Sequence, residues 1–193
     1  LASESGDTER EMDVLREEYH AQVFRLLAQD IAGLQTVERL ADHLTQLADI
    51  VVQTTLDRCW NLLRERHPHP DRPPKFAVIA YGKLGGKELA YGSDLDLVFL
   101  HDDPEPGVGE IYARLVRRMS TWLSSQTSAG MLFETDFRLR PNGDAGLLVC
   151  SVEAFREYQL TKAWAWEHQA LTRARFCAGD PEAGRRFEAI RRE

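Results

Sequence analysis

The sequence predicts an α+β fold in which a helical pair precedes a mixed or antiparallel sheet with flanking helices. Three observations support this class. Apolar residues recur every three to four positions through the first third of the chain, which is the spacing of one helical face. Short apolar runs bounded by Gly, Pro or Asp then alternate with further helical stretches. A Pro-rich segment separates the two patterns.

Residues 1–66 are predicted to form an antiparallel helical pair. After a polar leader, apolar positions from Met12 to Ile31 mark the first helix, which Gly33 ends. Thr36 is a suitable N-cap for a second, longer helix that runs toward Arg66. We expect the pair to pack against and steady the rest of the chain rather than to take a direct part in catalysis.

Residues 67–74 are predicted to form a linker. This segment, HPHPDRPP, contains four prolines, and proline continues neither a helix nor a central strand. His67 and His69 have no third ligand nearby, so we do not expect them to bind a metal. Residues 75–193 follow as the predicted catalytic domain.

Residues 76–103 contain the most informative stretch. Residues 76–81 read as a buried strand, and a second strand opens with Asp94 and Asp96 before it becomes apolar. Because side chains alternate along a strand, the two carboxylates lie on the same face. They repel each other there, and a divalent cation relieves the repulsion. Oxygen ligands favour Mg²⁺ or a similar hard ion, so the pattern predicts a metal-dependent phosphate site.

A helix at about residues 110–126 leads to a second charged strand, MLFETDFRLR at residues 131–140. Asp136, Arg138 and Arg140 share one face of it. If this strand lies beside that of Asp94 and Asp96, the three acids converge and can hold one or two Mg²⁺ against a triphosphate. Asp136 could then accept the proton of the nucleophile, and the arginines suit bidentate contacts with phosphate or carboxylate.

Glu134 lies on the same predicted face, and we expect it to pair with Arg138 at the surface rather than to bind metal. Ser93 and Asp94 also have a simpler interpretation, as an ordinary turn before a strand. The poor odds of aligning so many charges by accident favour the functional interpretation.

The loop between the two strands is rich in glycine and carries Lys83. Glycines let the backbone approach a ligand closely, and their amides can point at phosphate oxygens. The loop has neither the GK[ST] of a P-loop nor the GxGxxG of a dinucleotide-binding fold. The predicted nucleotide-binding residues of the chain are Gly82, Lys83, Gly85, Gly86, Ser93, Arg138 and Arg140.

The rest of the chain reads as a turn, a returning strand and three helices. The predicted ranges are 141–144 for the turn, 146–150 for the strand, and 151 onward, 163–175 and 181–192 for the helices. Ser151 is predicted to cap the first of these helices. Trp164 and Trp166 are expected to be core residues. His168 is equally consistent with a core hydrogen bond and with a pocket.

Composition limits the function classes. The 193 residues carry a net charge of -7, which opposes general nucleic-acid binding. Cys59, Cys150 and Cys177 are well separated and expected to be free thiols, as in a reducing compartment, so we expect a cytoplasmic protein. No apolar stretch approaches the roughly 18 residues of a membrane span. The missing initiator Met and the abrupt end suggest a piece of a longer protein.

The motif GKLGGKELAYGSDLDLVF resembles the nucleotidyltransferase superfamily of DNA polymerase β type, and within it the glutamine synthetase adenylyltransferases. Two further segments are similar to the same family: LSSQTSAGMLFETDFRLRPNGDAGLLVCS and AWAWEHQALTRARFCAGDP. Nearly the whole chain is covered. The resemblance implies a polymerase β type core for the α+β fold.

This family has two related catalytic halves, and the form AWAWEHQALTRAR is similar to the C-terminal, adenylylating half. The resemblance implies transfer of AMP from ATP to a tyrosine of glutamine synthetase, with Mg²⁺ or Mn²⁺ as cofactor and regulation by the PII signalling protein. It also implies that Asp94 and Asp96 are metal ligands and that Asp136 is the third acid. Gly85 and Gly86 match the family's glycine pair in chemistry, whereas Gly82 has the better spacing, so both remain open.

Three rival functions remain. The chain could be the adenylyl-removing half, which uses phosphate to release ADP. It could also be a nucleotide-sensing or docking module without catalysis. Transfer to a nucleic acid, as in other members of the superfamily, is opposed by the acidic charge.

Overall fold

The structure is a computed structural model that describes residues 2–66 and 72–193. The first part of the predicted linker, with His67 and His69, lies outside the described residues. Residues 72–75 have neither helical nor strand conformation and lead directly into the first strand. No helix in the described ranges combines the length and apolar character that a membrane crossing requires.

The predicted helical pair is confirmed as α1 (Ala2–Ile31) and α2 (Val37–Arg66). Gly33 adopts a φ of +66°, and the Thr36 hydroxyl accepts a hydrogen bond from the backbone N–H of Arg39 at 3.4 Å, as an N-cap does. Glu11 near the start of α1 pairs with Arg58 near the end of α2 at 4.0 Å, so the helices are antiparallel. The polar leader is itself helical, because α1 already begins at Ala2.

Five strands of the described chain form one mixed sheet: β1 (Phe76–Ala80), β2 (Leu95–His101), β3 (Thr135–Asp136), β4 (Cys150–Ser151) and β5 (Arg175–Gly179). Their order is β3-β2-β1-β5, and β4 pairs with the far end of β2. β1 runs antiparallel to β2 and β5, whereas β3 and β4 run parallel to β2. The predicted α+β class with a mixed sheet is confirmed.

Helices cover both faces of the sheet, which explains why all five residues of β1 are buried. The remaining helices are α3 (Gly82–Gly85), α4 (Val108–Ser124), α5 (Val152–Thr161), α6 (Ala165–Leu171) and α7 (Pro181–Ile190). Alternate residues of β1 and β2 pack against α2 and α4 on one face. The intervening residues pack against α5 and α7 on the other face. The Ser151 hydroxyl caps α5 by accepting from Ala154 N–H at 3.1 Å, as predicted.

The helical pair packs against the sheet-containing part through polar as well as apolar contacts. Arg16 of α1 is fully buried and donates to the carbonyl oxygens of Trp122 at 2.9 Å and Ser125 at 2.8 Å. Asp13 accepts a hydrogen bond from the hydroxyl of Thr127. The expected packing of the pair against the rest of the chain is therefore confirmed. The three cysteines are free thiols, also as expected.

The charged strand predicted at residues 131–140 is largely wrong, because only Thr135 and Asp136 form a strand. The chain turns after Asp136: its carboxylate accepts from the backbone N–H of Arg138 at 2.8 Å. The returning strand predicted at residues 146–150 is also shifted. It begins only at Cys150 and pairs with β2 in parallel.

The helix predicted at residues 163–175 is too long, since α6 ends at Leu171 and Arg175 opens the edge strand β5. Trp164 and Trp166 are 70% and 55% exposed, so their assignment to the core is wrong. The physical reason is that α6 starts at Ala165 and buries Glu167 and Leu171 instead.

Candidate active site

The pairing of β2 with β3 brings the predicted acids together. In the parallel register Asp96 lies opposite Asp136, and the N–H of Leu95 donates to the carbonyl of Glu134 at 2.9 Å. Asp94 stands exposed just before β2. The strands that carry Asp96 and Asp136 are therefore adjacent, as expected, although β3 is only two residues long.

Asp96 projects from the sheet face that α5 and α7 cover farther along. Val98 and Leu100, two and four positions later, belong to the core on that face. Tyr81 lies across from Asp96, because its N–H donates to the Asp96 carbonyl at 2.9 Å. The acids therefore lie at the end of this sheet face that α5 and α7 do not cover.

The two facing acids differ in their electrostatics. Burial raises the pKa of Asp96, and the negative charges of Asp94 and Asp136 raise it further. In contrast, hydrogen bonds from the side chain of Arg138 lower the pKa of Asp136; the Arg138 Nε lies 2.8 Å from Asp136 Oδ2. Among the described residues Asp96 thus has no ion-pair partner, whereas Asp136 has one in Arg138.

The single-turn helix α3 and Gly86, which ends it, follow β1. We call these residues, 82–86, the glycine turn. Gly82 has a φ of +53°, and a Cβ at this position would lie 2.0 Å from Asp96 Oδ2. Only glycine fits this close approach of the backbone to the acid. Lys83 is exposed, and its charge acts on Asp96 to lower the pKa.

Gly85 and Gly86 are placed differently from Gly82. A Cβ on Gly85 would lie 2.3 Å from the carbonyl oxygen of Arg173, so this glycine permits packing beneath the turn. The N–H groups of Gly85 and Gly86 already donate to Tyr81 O at 2.8 Å and Gly82 O at 3.0 Å. Two alternatives were left open for the glycine that approaches the phosphate. The structure places Gly82 against Asp96 and Gly85 against the backbone of Arg173.

Ser93 closes a turn immediately before Asp94. Its hydroxyl accepts from the N–H of Ala90 at 3.1 Å, and its own N–H donates to the Ala90 carbonyl at 3.2 Å. Ser93 itself is buried. The ordinary-turn interpretation therefore describes the backbone at Ser93, while Asp94 beyond it faces outward.

An open depression of about 460 Å³ lies beside the acids. Its lining comprises Asp94, Glu134, Thr135, Asp136, Phe137, Arg138, Arg140 and Asp144. The expected pairing of Glu134 with Arg138 is wrong, because Arg138 pairs with Asp136. Arg140 donates to Phe137 O at 2.7 Å and pairs with Asp144 at 3.4 Å, so it also holds the turn that follows β3.

Comparison with known proteins assigns the family. The family model described as glutamate-ammonia ligase adenylyltransferase matches residues 1–190. The chain belongs to this family. The resemblance drawn from the sequence is thereby confirmed.

The curated relatives carry the name bifunctional glutamine synthetase adenylyltransferase/adenylyl-removing enzyme. The chain is 65% identical over 187 residues to that of Aromatoleum aromaticum, covering 97% of this chain and 20% of the relative. It is 57% identical over 192 residues to that of Ralstonia nicotianae, with 97% and 20% covered. For Chromobacterium violaceum the identity is 56% over 191 residues, with 99% and 21% covered. The chain spans about one fifth of the length of these relatives.

The acids of this family member suit a hard cation in their chemistry but do not form a closed ligand set. Within residues 2–66 and 72–193, no three His, Cys, Asp or Glu side chains are close enough together to hold one ion. One reason is that the Asp136 carboxylate faces Arg138. Burial and then the charges of Asp94 and Asp136 raise the pKa of Asp96, and a divalent cation beside these acids would offset their repulsion. The oxygen donors of these acids are of the type that Mg²⁺ or Mn²⁺ prefers.

Behind the acids lies a buried polar group that sequence reasoning missed. Glu167 of α6 is buried and accepts hydrogen bonds from the Tyr158 hydroxyl at 2.9 Å and the Trp164 N–H at 2.8 Å. Tyr81, the cross-strand neighbour of Asp96, has a raised pKa through burial and then through the charges of Cys150 and Glu167. A glutamate inside the aromatic run AWAWEHQAL was the available signal.

Proposed function

We propose that this chain is the adenylylating part of its enzyme and transfers AMP from ATP to a tyrosine hydroxyl of glutamine synthetase, with release of pyrophosphate. The observation that carries the proposal is the contact of Gly82 with Asp96, at the point where Asp96 faces Asp136. A backbone turn that a phosphate can approach thus adjoins three carboxylates. The proposal includes a polymerase β type nucleotidyltransferase core.

In this proposal Asp94, Asp96 and Asp136 would hold Mg²⁺ or Mn²⁺. The cation supplies neutralisation of the triphosphate and of the departing pyrophosphate when bound. Gly82 leaves room for the Asp96 carboxylate against the backbone, and the exposed Lys83 would add positive charge for the triphosphate beside it. Gly85, Gly86 and Ser93 keep the turn and the start of β2 in place around that space.

Arg138 and Asp136 would change partners during the reaction. In the structure the guanidinium of Arg138 binds the Asp136 carboxylate and lowers its pKa. When Arg138 turns to a phosphate oxygen, as guanidinium groups favour, the Asp136 carboxylate loses this ion pair, and its oxygen that does not hold the cation is left for the acceptor. It can then accept a proton from the tyrosine phenol, whose unperturbed pKa is about 10. Arg140 supports this region by holding the turn after β3.

The wider context also belongs to the proposal. Regulation by the PII signalling protein would act through the longer enzyme, in the cytoplasm, and at no membrane surface. The net charge of -7 supports a protein rather than a nucleic acid as acceptor.

The test is incubation of the chain with ATP, Mg²⁺ and unmodified glutamine synthetase, followed by mass spectrometry of the tryptic peptides. We expect AMP on one tyrosine of glutamine synthetase. Release of ADP from adenylylated glutamine synthetase and phosphate, without the forward reaction, would instead assign the adenylyl-removing activity that the relatives' name also contains. ATP binding without either reaction would assign a nucleotide-sensing module.

A further inference from the structure

The glycine turn rests on one arginine that also reaches the helical pair. Arg175, the first residue of β5, donates from Nη2 to the carbonyl of Leu84 inside the turn at 3.1 Å. The same nitrogen donates to Oδ1 of Asp49 in α2 at 2.8 Å. A single side chain therefore connects a helix of the pair to the backbone that contacts Asp96.

This connection lies in a sheltered environment. The side chains of Arg175 and Asp49 are 19% and 28% exposed, and the thiol of Cys177 also donates to Asp49 Oδ1 at 3.1 Å. Within the described part of the chain, Arg175 Nε is buried without a hydrogen-bond partner. Removing Asp49 would leave a largely buried cation without its carboxylate, which is a large perturbation. The position of Arg175 thus depends on α2.

The chain just before Arg175 contacts the turn at two more points. The carbonyl oxygen of Arg173 lies directly against Gly85, where a Cβ would come within 2.3 Å of it. The guanidinium of Arg173 pairs with Glu88, which follows the turn. The segment 173–175 therefore forms the floor of the glycine turn. Because Gly82 in the same turn lies against Asp96, a shift of this floor would move the turn relative to the acids.

We infer that Asp49 and Arg175 are positioning residues for the nucleotide: they fix the glycine turn relative to Asp96 and couple the helical pair to the phosphate-binding part of the site. The catalytic consequence rests on the proposed function, whereas the mechanical coupling does not. The helical pair then has a role beyond packing, because a displacement of α2 changes how well the turn receives a triphosphate.

A matched control is available on the same two elements. Gln53, one turn after Asp49 in α2, accepts from the N–H of Gly179 at 2.8 Å, at the opposite end of β5. Gln53→Ala therefore removes an α2–β5 hydrogen bond without touching the floor of the glycine turn. Asp49→Ala, Asp49→Asn and Arg175→Lys remove or weaken the connection under test to different extents.

Hydrogen exchange reports the coupling without any need for catalysis. The amides of Gly85, Gly86 and Glu88 are hydrogen-bonded within or beside the turn at 2.8 to 3.0 Å, so they are protected. We expect Asp49→Ala and Arg175→Lys to accelerate their exchange about tenfold, and Gln53→Ala to leave it unchanged. Equal exchange in Asp49→Ala and Gln53→Ala would overturn the inference.

Kinetics then test the consequence for the nucleotide. Below the melting temperature of each variant, we expect Asp49→Ala to raise the KM for ATP roughly fivefold, and Asp49→Asn to restore part of the loss. A purely structural role would lower the melting temperature and leave KM unchanged. If the wild-type chain transfers no AMP, the proposed function fails, but the exchange experiment still decides the coupling. Should Asp49→Ala not fold, Asp49→Asn and Arg175→Lys carry the same comparison.

Discussion

The two ends of β2 carry acidic side chains in opposite circumstances. At the C-terminal end, Asp103 is 2% exposed and accepts from Arg72 and from the Tyr112 hydroxyl, each at 3.0 Å. At the N-terminal end, Asp94 and Asp96 have no cation within ion-pair distance among the described residues, and Asp96 has a raised pKa.

Under the proposed function, this difference separates a structural acid, Asp103, from the acids of the nucleotide site. Three donors satisfy the carboxylate of Asp103, so its charge stabilises the fold and leaves nothing for a ligand. Asp96 lies half-buried beside two other acids without an ion-pair partner among the described residues, an arrangement that costs stability and is typical of ligand sites. Substitution of an aspartate should therefore reduce AMP transfer at one end of β2 and stability at the other. The following variants test this difference.

Asp96→Asn is expected to give the largest effect. The rate of AMP transfer should fall about a thousandfold or more, because the site loses a charge directed at the cation and phosphates. The melting temperature should stay the same or rise, since the repulsion among Asp94, Asp96 and Asp136 decreases. Single-turnover transfer assays and thermal melts measure both. Undiminished turnover would show that the lack of an ion-pair partner at Asp96 has no connection with catalysis.

Asp103→Ala should have the reverse phenotype. Loss of the hydrogen bonds from Arg72 and Tyr112 should lower the free energy of unfolding by about 2 kcal/mol, measured in urea. Transfer per folded molecule should remain unchanged. Glu110→Ala, which removes an exposed acid of α4, is the control and should change stability by less than about 0.5 kcal/mol. A catalytic defect in folded Asp103→Ala would contradict the assignment of Asp103 as structural.

Arg138→Gln should raise the KM for ATP about tenfold, because one phosphate ligand is lost. The fold should be unaffected, since the side chain is 75% exposed. The pKa of Asp136 should rise toward its ordinary value, which NMR titration can follow. Arg185→Gln removes a similarly exposed arginine from α7 and should leave KM unchanged. Equal KM values for the two variants would remove Arg138 from the nucleotide site.

The smallest effect is a pH dependence. Burial alone would raise the pKa of Asp103, but hydrogen bonds from Glu105 N–H and Tyr112 and the charge of Arg72 together lower it. A lowered folded pKa gives stability that is present above the unfolded value of about 3.9 and is lost as the pH falls through the folded value. Between these pH values, the free energy of unfolding should therefore change less with pH for Asp103→Asn than for the wild type. Identical slopes would show that Asp103 contributes no such linkage.

The sequence predicted what depends on local pattern. The helical pair with its Thr36 cap and the Ser151 cap follow from short-range periodicity and capping chemistry. The strand that contains Asp96 follows from the apolar run after it, although Asp94 lies just before that strand. These features need only a few neighbouring residues, so one sequence sufficed.

Features set by distant partners were missed. The strand β5 was not predicted, and the helix expected at residues 163–175 ran into its first residue, because the pairing with β1 that makes this segment extended is not visible in the local sequence. Arg138 was assigned to Glu134, because the early end of β3 that turns it toward Asp136 could not be foreseen. Asp49 and Arg175 are 126 residues apart, and no local pattern links them.

The central claim is that the uncompensated acids, and not the satisfied one, form a nucleotidyl-transfer site. The most direct test follows transfer of α-labelled AMP from ATP to glutamine synthetase by the wild type, Asp96→Asn and Asp103→Asn, side by side with Mg²⁺ at a temperature where all three are folded. We expect labelled glutamine synthetase with the wild type and Asp103→Asn, and none with Asp96→Asn. Equal labelling by all three, or loss only with Asp103→Asn, would contradict it.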